Sequence, residues 1–317
     1  MQAGGAAGFA LLVEKASAAA EFGRLIPQRP SARVIVDNDF AGDPDGLVAL
    51  AHQLLTPKAE ITLVTASALD PKLSAQHPDR GRTAAAGRDV AKELIKRAGI
   101  MKPPPVIAGP ENFNLGPSEA ANAIVAEAMR DNTLPLFLTC GGPLTNVAAA
   151  LRLEPAIASR MTVVWIGGGD YPTGQWEYNL ATDAPAAREV FENRRLALWQ
   201  VPQTAYRQMQ FSIAEMTADL RPISPFTQWL YDQFTTPPSF VTLGGTWPLG
   251  DSPLVLLTSI SAESSRYVEQ TAHLIRPNAT YGPAIAGRMV RVYQTLDARL
   301  TFGDFLALLR LQALHSQ

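Results

Sequence analysis

The residues best suited to chemistry gather in one short stretch, Asp37-Asn38-Asp39-Phe40-Ala41-Gly42-Asp43-Pro44-Asp45-Gly46, directly after the apolar run Arg33-Val34-Ile35-Val36. Four carboxylates in nine positions repel one another unless a cation lies among them. Their oxygens are hard donors, suited to Ca²⁺ or Mg²⁺ rather than to zinc. The helix dipole explains one or two acids in a first helical turn. It does not explain Asp37 and Asp39 at the end of a strand, so the spacing predicts a metal site.

Three later segments add groups of the right kind. In Thr139-Cys140-Gly141-Gly142-Pro143-Leu144-Thr145-Asn146, two glycines let the backbone approach a ligand and expose a carbonyl. Alone, that segment is an ordinary strand-to-helix turn with Pro143 at the first helical position. In Trp176-Glu177-Tyr178-Asn179, Glu177 and Asn179 on an extended chain point the same way and suit two vicinal hydroxyls. In Trp247-Pro248-Leu249-Gly250-Asp251-Ser252-Pro253-Leu254, Asp251 precedes an apolar helical pattern as a cap, a metal ligand or both.

Such groups need a scaffold that brings them together. Strands are expected at 33–36, 60–66, 106–108, 134–139, 161–166 and 196–201, with helices at 45–55, 83–98, 118–130, 143–153 and 184–193 between them. Continuously apolar strands are buried on both faces, and strand-helix alternation gives a mostly parallel, doubly wound α/β sheet flanked by helices. In such sheets ligands bind outside the carboxyl ends of the strands, where the acidic turn lies. After about residue 205 the pattern turns helical and aromatic-rich and is expected to close over the sheet edge. Residues 31–317 thus read as one domain. Residues 1–30 form an extension that resembles an export signal without its basic start, with a short amphipathic helix as the other reading. This places the protein in cytoplasm or periplasm.

The 317 residues are 47% hydrophobic and 18% charged, enough apolar material for a large core. A net charge of -2 without a basic stripe argues against a nucleic-acid partner, and no apolar run reaches membrane-spanning length. The single cysteine, Cys140, excludes an internal disulfide and reads as a small buried hydrophobe.

Taken together, the four segments resemble the nucleoside hydrolase family and its divergent nucleoside-hydrolase-like branch, over roughly residues 33–257. The stretch Gly141 to Pro155, GGPLTNVAAALRLEP, is the most specific part. The resemblance implies calcium-dependent hydrolysis of the N-glycosidic bond of a ribonucleoside, by a homodimer or homotetramer. It makes Asp39 both a calcium ligand and the base that takes the proton from the attacking water. Gly141, through its carbonyl, and Asp251 become further ligands. A side chain lost at position 141 is expected to matter little. Glu177 and Asn179 are implied to hold the ribose above Asp37 and Asn38 at the site floor, with Trp247 as an aromatic against the substrate.

The chain departs from the family's pattern in four places. Asp45-Gly46 stands where two adjacent aspartates are usual, leaving Asp43 or Asp45 as the remaining metal ligand. The segment from Ala66 to His77 lacks the usual Gly-Asn and is longer. Asp170-Tyr171 stands where an asparagine for the sugar is common. Gly250 replaces the histidine that protonates the leaving base. Among the four histidines, His273 is the candidate to fold back into the site, while His52 reads as structural. Trp247, Tyr206 and Trp229 are the aromatics that could stack on a base. The alternative function is a catalytically degenerate protein that binds a nucleoside or ribosyl ligand. A haloacid-dehalogenase-like phosphatase shares the Asp-x-Asp but would need a downstream lysine and paired acids that are missing.

Overall fold

The computed structural model describes residues 26–113, 115–237 and 243–315. Most of the expected N-terminal extension lies outside the described residues, and 26–31 run without regular structure into the first strand.

The alternation expected from the sequence is present. In chain order come β1 (Ala32–Asn38), α1 (Asp45–Leu55), β2 (Ala59–Ala66), α2 (Pro71–Gln76), α3 (Thr83–Arg97), β3 (Val106–Ala108), α4 (Glu119–Met129) and β4 (Leu136–Cys140). Then follow α5 (Thr145–Leu153), β5 (Thr162–Ile166), α6 (Tyr178–Thr182), α7 (Ala184–Glu192), β6 (Ala197–Val201) and α8 (Gln203–Tyr206). The strands lie in the order β3-β2-β1-β4-β5-β6, all parallel. Ser118 caps α4 by accepting from the Ala121 amide, as a serine at that position should.

Side chains alternate across β1, and this separates its jobs. Val34 and Val36 pack with Leu47 and Leu50 of α1 in one apolar layer. Ile35 packs with Leu138, Val163 and Val147 in the other. Asp37 follows Ile35 on that second face, where Asn146 of α5 meets it.

The C-terminal third corrects the expectation of a helical closure. A small antiparallel pair, β7 (Gln210–Ser212) and β8 (Thr246–Pro248), encloses α9 (Pro225–Asp232) in the sequence. Beyond it, β9 (Arg266–Ile275) and β10 (Tyr281–Thr295) form a long hairpin that extends the main sheet, with β10 parallel to β6 and β9 at the edge. Their side chains are buried on one face only, so they lack the continuous apolar run of the central strands. The last helix, α10 (Ala298–His315), packs Phe302, Phe305 and Leu309 against α1 and α3. Among the described residues no helix is long and apolar enough to cross a membrane.

Candidate active site

β1 carries its acids to the strand end beside β2 and β4. It runs through Asn38, so Asp37 lies within the strand, paired in register with Thr65 and Cys140. Asp37 is fully buried. Its Oδ2 accepts from Thr65 Oγ1 at 2.6 Å and Asn146 Nδ2 at 2.8 Å, and its Oδ1 accepts from Ser67 Oγ at 2.6 Å. Cys140 Sγ adds a fourth, weak donor at 3.8 Å. Burial raises the Asp37 pKa and these bonds pull it back. With its acceptors filled from below, Asp37 is a strut under the site, which corrects its assignment to the substrate.

Asn38 is corrected in the same way. Its Nδ2 donates to Asp251 Oδ2 at 2.8 Å, a buried bond between residues 213 apart in sequence. Asp251 comes from the segment before the helical turn Pro253–Val255, and its own amide donates to Asp45 Oδ2 at 3.2 Å. Residues from two distant segments (Asn38 and Asp45 from the first, Asp251 from the second) are thus joined in one chain of bonds.

Asp39 lies among them without a side-chain donor. Burial first, and the neighbouring Asp251 carboxylate second, push its pKa well above the usual range. The same two causes act in the same order on Asp45. Asp251 is pushed up to about 7, chiefly by burial and opposed by the Asn38 bond. Among the described residues no lysine, arginine or histidine is a leading influence on any of these three acids. Asp43 stands apart: mostly exposed, it turns its carboxyl inward to accept from Trp247 Nε1 at 3.2 Å and the Asp45 amide at 3.3 Å. Asp45 rather than Asp43 therefore lies against Asp251.

The glycine pair is needed for close approach. A Cβ on Gly141 would lie 2.3 Å from Asn38 Nδ2 and 2.6 Å from Asp251 Oδ2, and one on Gly142 3.0 Å from the Asp39 amide nitrogen. Glycine is thus the residue that the packing around Asn38 and Asp251 admits at 141. The Gly141 carbonyl accepts from Asn179 Nδ2 at 3.0 Å.

Glu177 and Asn179 do not lie on one extended segment. Glu177 caps α6, and Asn179 is inside it. The Glu177 carboxylate accepts from the amides of Gly168 (2.7 Å), Leu180 (2.9 Å) and Asn179 (3.2 Å), and from the Tyr206 hydroxyl at 3.1 Å. Tyr206, on α8, also covers Gly250, where an added Cβ would lie 3.1 Å from the ring and 3.3 Å from Asp45 Oδ2. Tyr178 hydrogen-bonds Asp70, the residue that caps α2. The Asp70 contact is one the sequence did not suggest, because α2 and Tyr178 meet only in the fold.

Other expectations are settled by packing. Trp247 is 3% exposed, edge-on to Phe234 and tied to Asp43, so it is a core residue and not a substrate wall. His273 sits on β9, bonded to the Gly282 carbonyl and packed against Tyr171 and Tyr281, outside the acid group. His52 is buried against Asp304 and Phe305, the structural role expected of it.

Whether this donor set suits a cation divides into kind and geometry. In kind it does: carboxylates without cationic partners beside a backbone carbonyl are the hard-oxygen set that Ca²⁺ takes. Among the described residues, however, no three acid, histidine or cysteine side chains already converge in ligand geometry. A cavity of 440 Å³ opens beside the turn, walled by Ala41, Gly42 and Pro44 on one side and His77, Arg82 and Asp89 on the other. The carboxylates of Asp39, Asp45 and Asp251 are not in its lining.

Comparison with known proteins adds to this geometry. The model of the family described as inosine-uridine preferring nucleoside hydrolase matches residues 34–255. Pyrimidine-specific ribonucleoside hydrolases RihA of Salmonella dublin and Salmonella agona are each 27% identical over 182 residues, 50% of this chain and 57% of theirs. The chain thus spans little more than half the length of these curated relatives. The crystal structure of an inosine-uridine preferring nucleoside hydrolase from Bacillus anthracis covers 88% of this chain and 99% of its own, with a TM-score of 0.64 at 17% identity. A purine-preferring ribonucleoside hydrolase from Gardnerella vaginalis covers 89% and 99%, with a TM-score of 0.61 at 17% identity. At such identities the likeness is one of fold.

Proposed function

We propose a function from one premise: the chain belongs to the inosine-uridine preferring nucleoside hydrolase family, whose model, over residues 34–255, takes in the six parallel strands and the acid group. On that premise the protein hydrolyses the N-glycosidic bond of a ribonucleoside and releases ribose and base. The observation that carries the reading is the meeting of half-buried Asp39 and Asp45, from the turn after β1, with buried Asp251 from a distant segment, none of them paired with a cationic side chain among the described residues. Isolated buried carboxylates are costly by several kcal/mol, and such a cost is expected where a ligand offsets it.

Calcium is the cation we assign to Asp39, Asp45, Asp251 and the Gly141 carbonyl, where it would polarise a water and lower its pKa. The remaining steps belong to the chain. Asp39, whose carboxylate no other side chain engages, takes a proton from the water that attacks the anomeric carbon. The surrounding acids stabilise positive charge developing on the sugar. Asn38 holds Asp251 in place, and Asn179 orients the Gly141 carbonyl. Glu177 and Asn179 flank the ribose. Assembly as a homodimer or homotetramer belongs to the same proposal, and light scattering on the purified chain reads it.

The test is a reducing-sugar assay on a panel of ribonucleosides, with calcium and with excess chelator. Calcium-dependent ribose release is the expected result. No release from any of them, with ligand binding retained, would favour the degenerate binding protein instead.

A further inference from the structure

Resting on the N-ribosyl hydrolase reading, we propose that this site selects ribosides whose aglycone departs without taking a proton, N-ribosylpyridinium cations above all. A base attached through a neutral nitrogen leaves as an anion unless a donor protonates it, and a positioned acid contributes about 10²–10⁴-fold to such a step. Among the described residues, the side chains bonded to the acids or stacked over them supply no free donor of that kind.

The hydroxyls and side-chain amides that the described residues place beside the acids are engaged. The Tyr206 hydroxyl donates to Glu177, and its ring fills the space over Gly250, so no side chain enters from that position. The Tyr178 hydroxyl is held by Asp70. Asn38 donates to Asp251, and Asn179 donates to the carbonyls of Gly141 and Ile166. The four histidines are among the described residues: His52 bonds to Asp304, His273 to the Gly282 carbonyl and His315 to the Leu311 carbonyl, while His77 accepts from the Asp79 amide on the far wall of the cavity, whose lining does not include the Asp39, Asp45 or Asp251 carboxylates. Carboxylates that hold a cation must be ionised to do so, and an ionised carboxylate only accepts. The site is therefore rich in negative charge and acceptors.

A pyridinium riboside suits that environment. Its glycosidic nitrogen carries a positive charge, which the acids attract. Water oxygen bonds to the anomeric carbon as the carbon–nitrogen bond breaks, and the bonding pair returns to nitrogen to leave a neutral pyridine. Asp39 receives the water proton and passes it to solvent, so each turnover consumes one water and releases one proton overall. No group has to protonate the departing ring.

The calcium-loaded full chain would be assayed with nicotinamide riboside, 4-nitrophenyl β-D-ribofuranoside, inosine and uridine. The first two have aglycones that are stable as they leave, and the last two require protonation. The proposal predicts kcat/KM for the first pair above the second by about 100-fold or more, the low end of what general acid catalysis supplies. Comparable values for all four would overturn it while leaving the hydrolase reading intact. No release from any of them would overturn both. Tyr206→Phe keeps the ring and removes the hydroxyl, and the ratio between the pairs should survive it. A loss confined to inosine and uridine would identify Tyr206 as the missing acid and refute the proposal.

Discussion

Asp37 and Asp39 stand two residues apart at one strand end, and the fold surrounds them in opposite ways. Asp37 receives donors from Thr65, Ser67, Asn146 and Cys140, drawn from β2, the turn after it, α5 and β4. Asp39 is raised by the neighbouring Asp251 charge and, more weakly, by those of Asp43 and Asp37, and among the described residues it gains no donor from another side chain. Both environments raise a carboxylate by burial. The difference is that one charge is answered from within the chain, while the other awaits something from outside. A floor built to be satisfied thus supports a mouth that is not, and in this pair burial alone does not separate a structural acid from a functional one.

The contrast can be broken by substitution. Asp39→Ala should lower kcat by about 10³-fold, while the thermal midpoint measured in chelator stays level or rises because a repelled charge is gone. A variant that keeps near-normal turnover would put the base elsewhere. Asp37→Ala should do the reverse and orphan several buried donors at a cost of about 3 kcal/mol or more, seen in chemical denaturation. If Asp37→Ala unfolds no more readily than wild type, the strut assignment fails.

Two smaller effects sharpen the comparison. Gly141→Ala should cost about 1–3 kcal/mol through overpacking, because its methyl meets Asn38 and Asp251. Calcium affinity should fall with it, and a variant with unchanged affinity would mean that the Asn38–Asp251 contact does not shape the mouth. The smallest effect concerns His52, away from the acids on the helix that Asp45 begins. Burial holds its pKa below the ordinary 6.5. As pH falls below about 6.5 the unfolded chain takes up a proton that the folded chain refuses, so this group's contribution is full above that value and is lost below it. Denaturation midpoints across pH 5–8 should show that fall in wild type and a flatter profile in His52→Phe, in the presence or absence of calcium.

Much of the frame was legible because central parallel strands are buried on both faces and announce themselves as apolar runs. That Asp39 and Asp251 belong to one group followed from the family resemblance, whereas the choice between Asp43 and Asp45 stayed open, because two acids two residues apart in one turn carry no local signal for which faces Asp251. The hairpin β9–β10 was not legible, because one-sided burial breaks its apolar pattern. Asp37 and Asn38 were placed against a ligand because the strand was expected to stop at Val36. Two more residues of strand turn one inward to the sheet and commit the other to Asp251. Tyr206 on Glu177 and Asp70 on Tyr178 depend on contacts 29 and 108 residues apart in sequence, for which local pattern has no signal.

The most direct measurement is calorimetric titration of calcium into chelator-treated protein, wild type beside Asp39→Ala and Asp37→Asn. The contrast between the two aspartates predicts saturable calcium binding in wild type, its loss in Asp39→Ala and its survival in Asp37→Asn. No binding in wild type, or undiminished binding in Asp39→Ala, would contradict it.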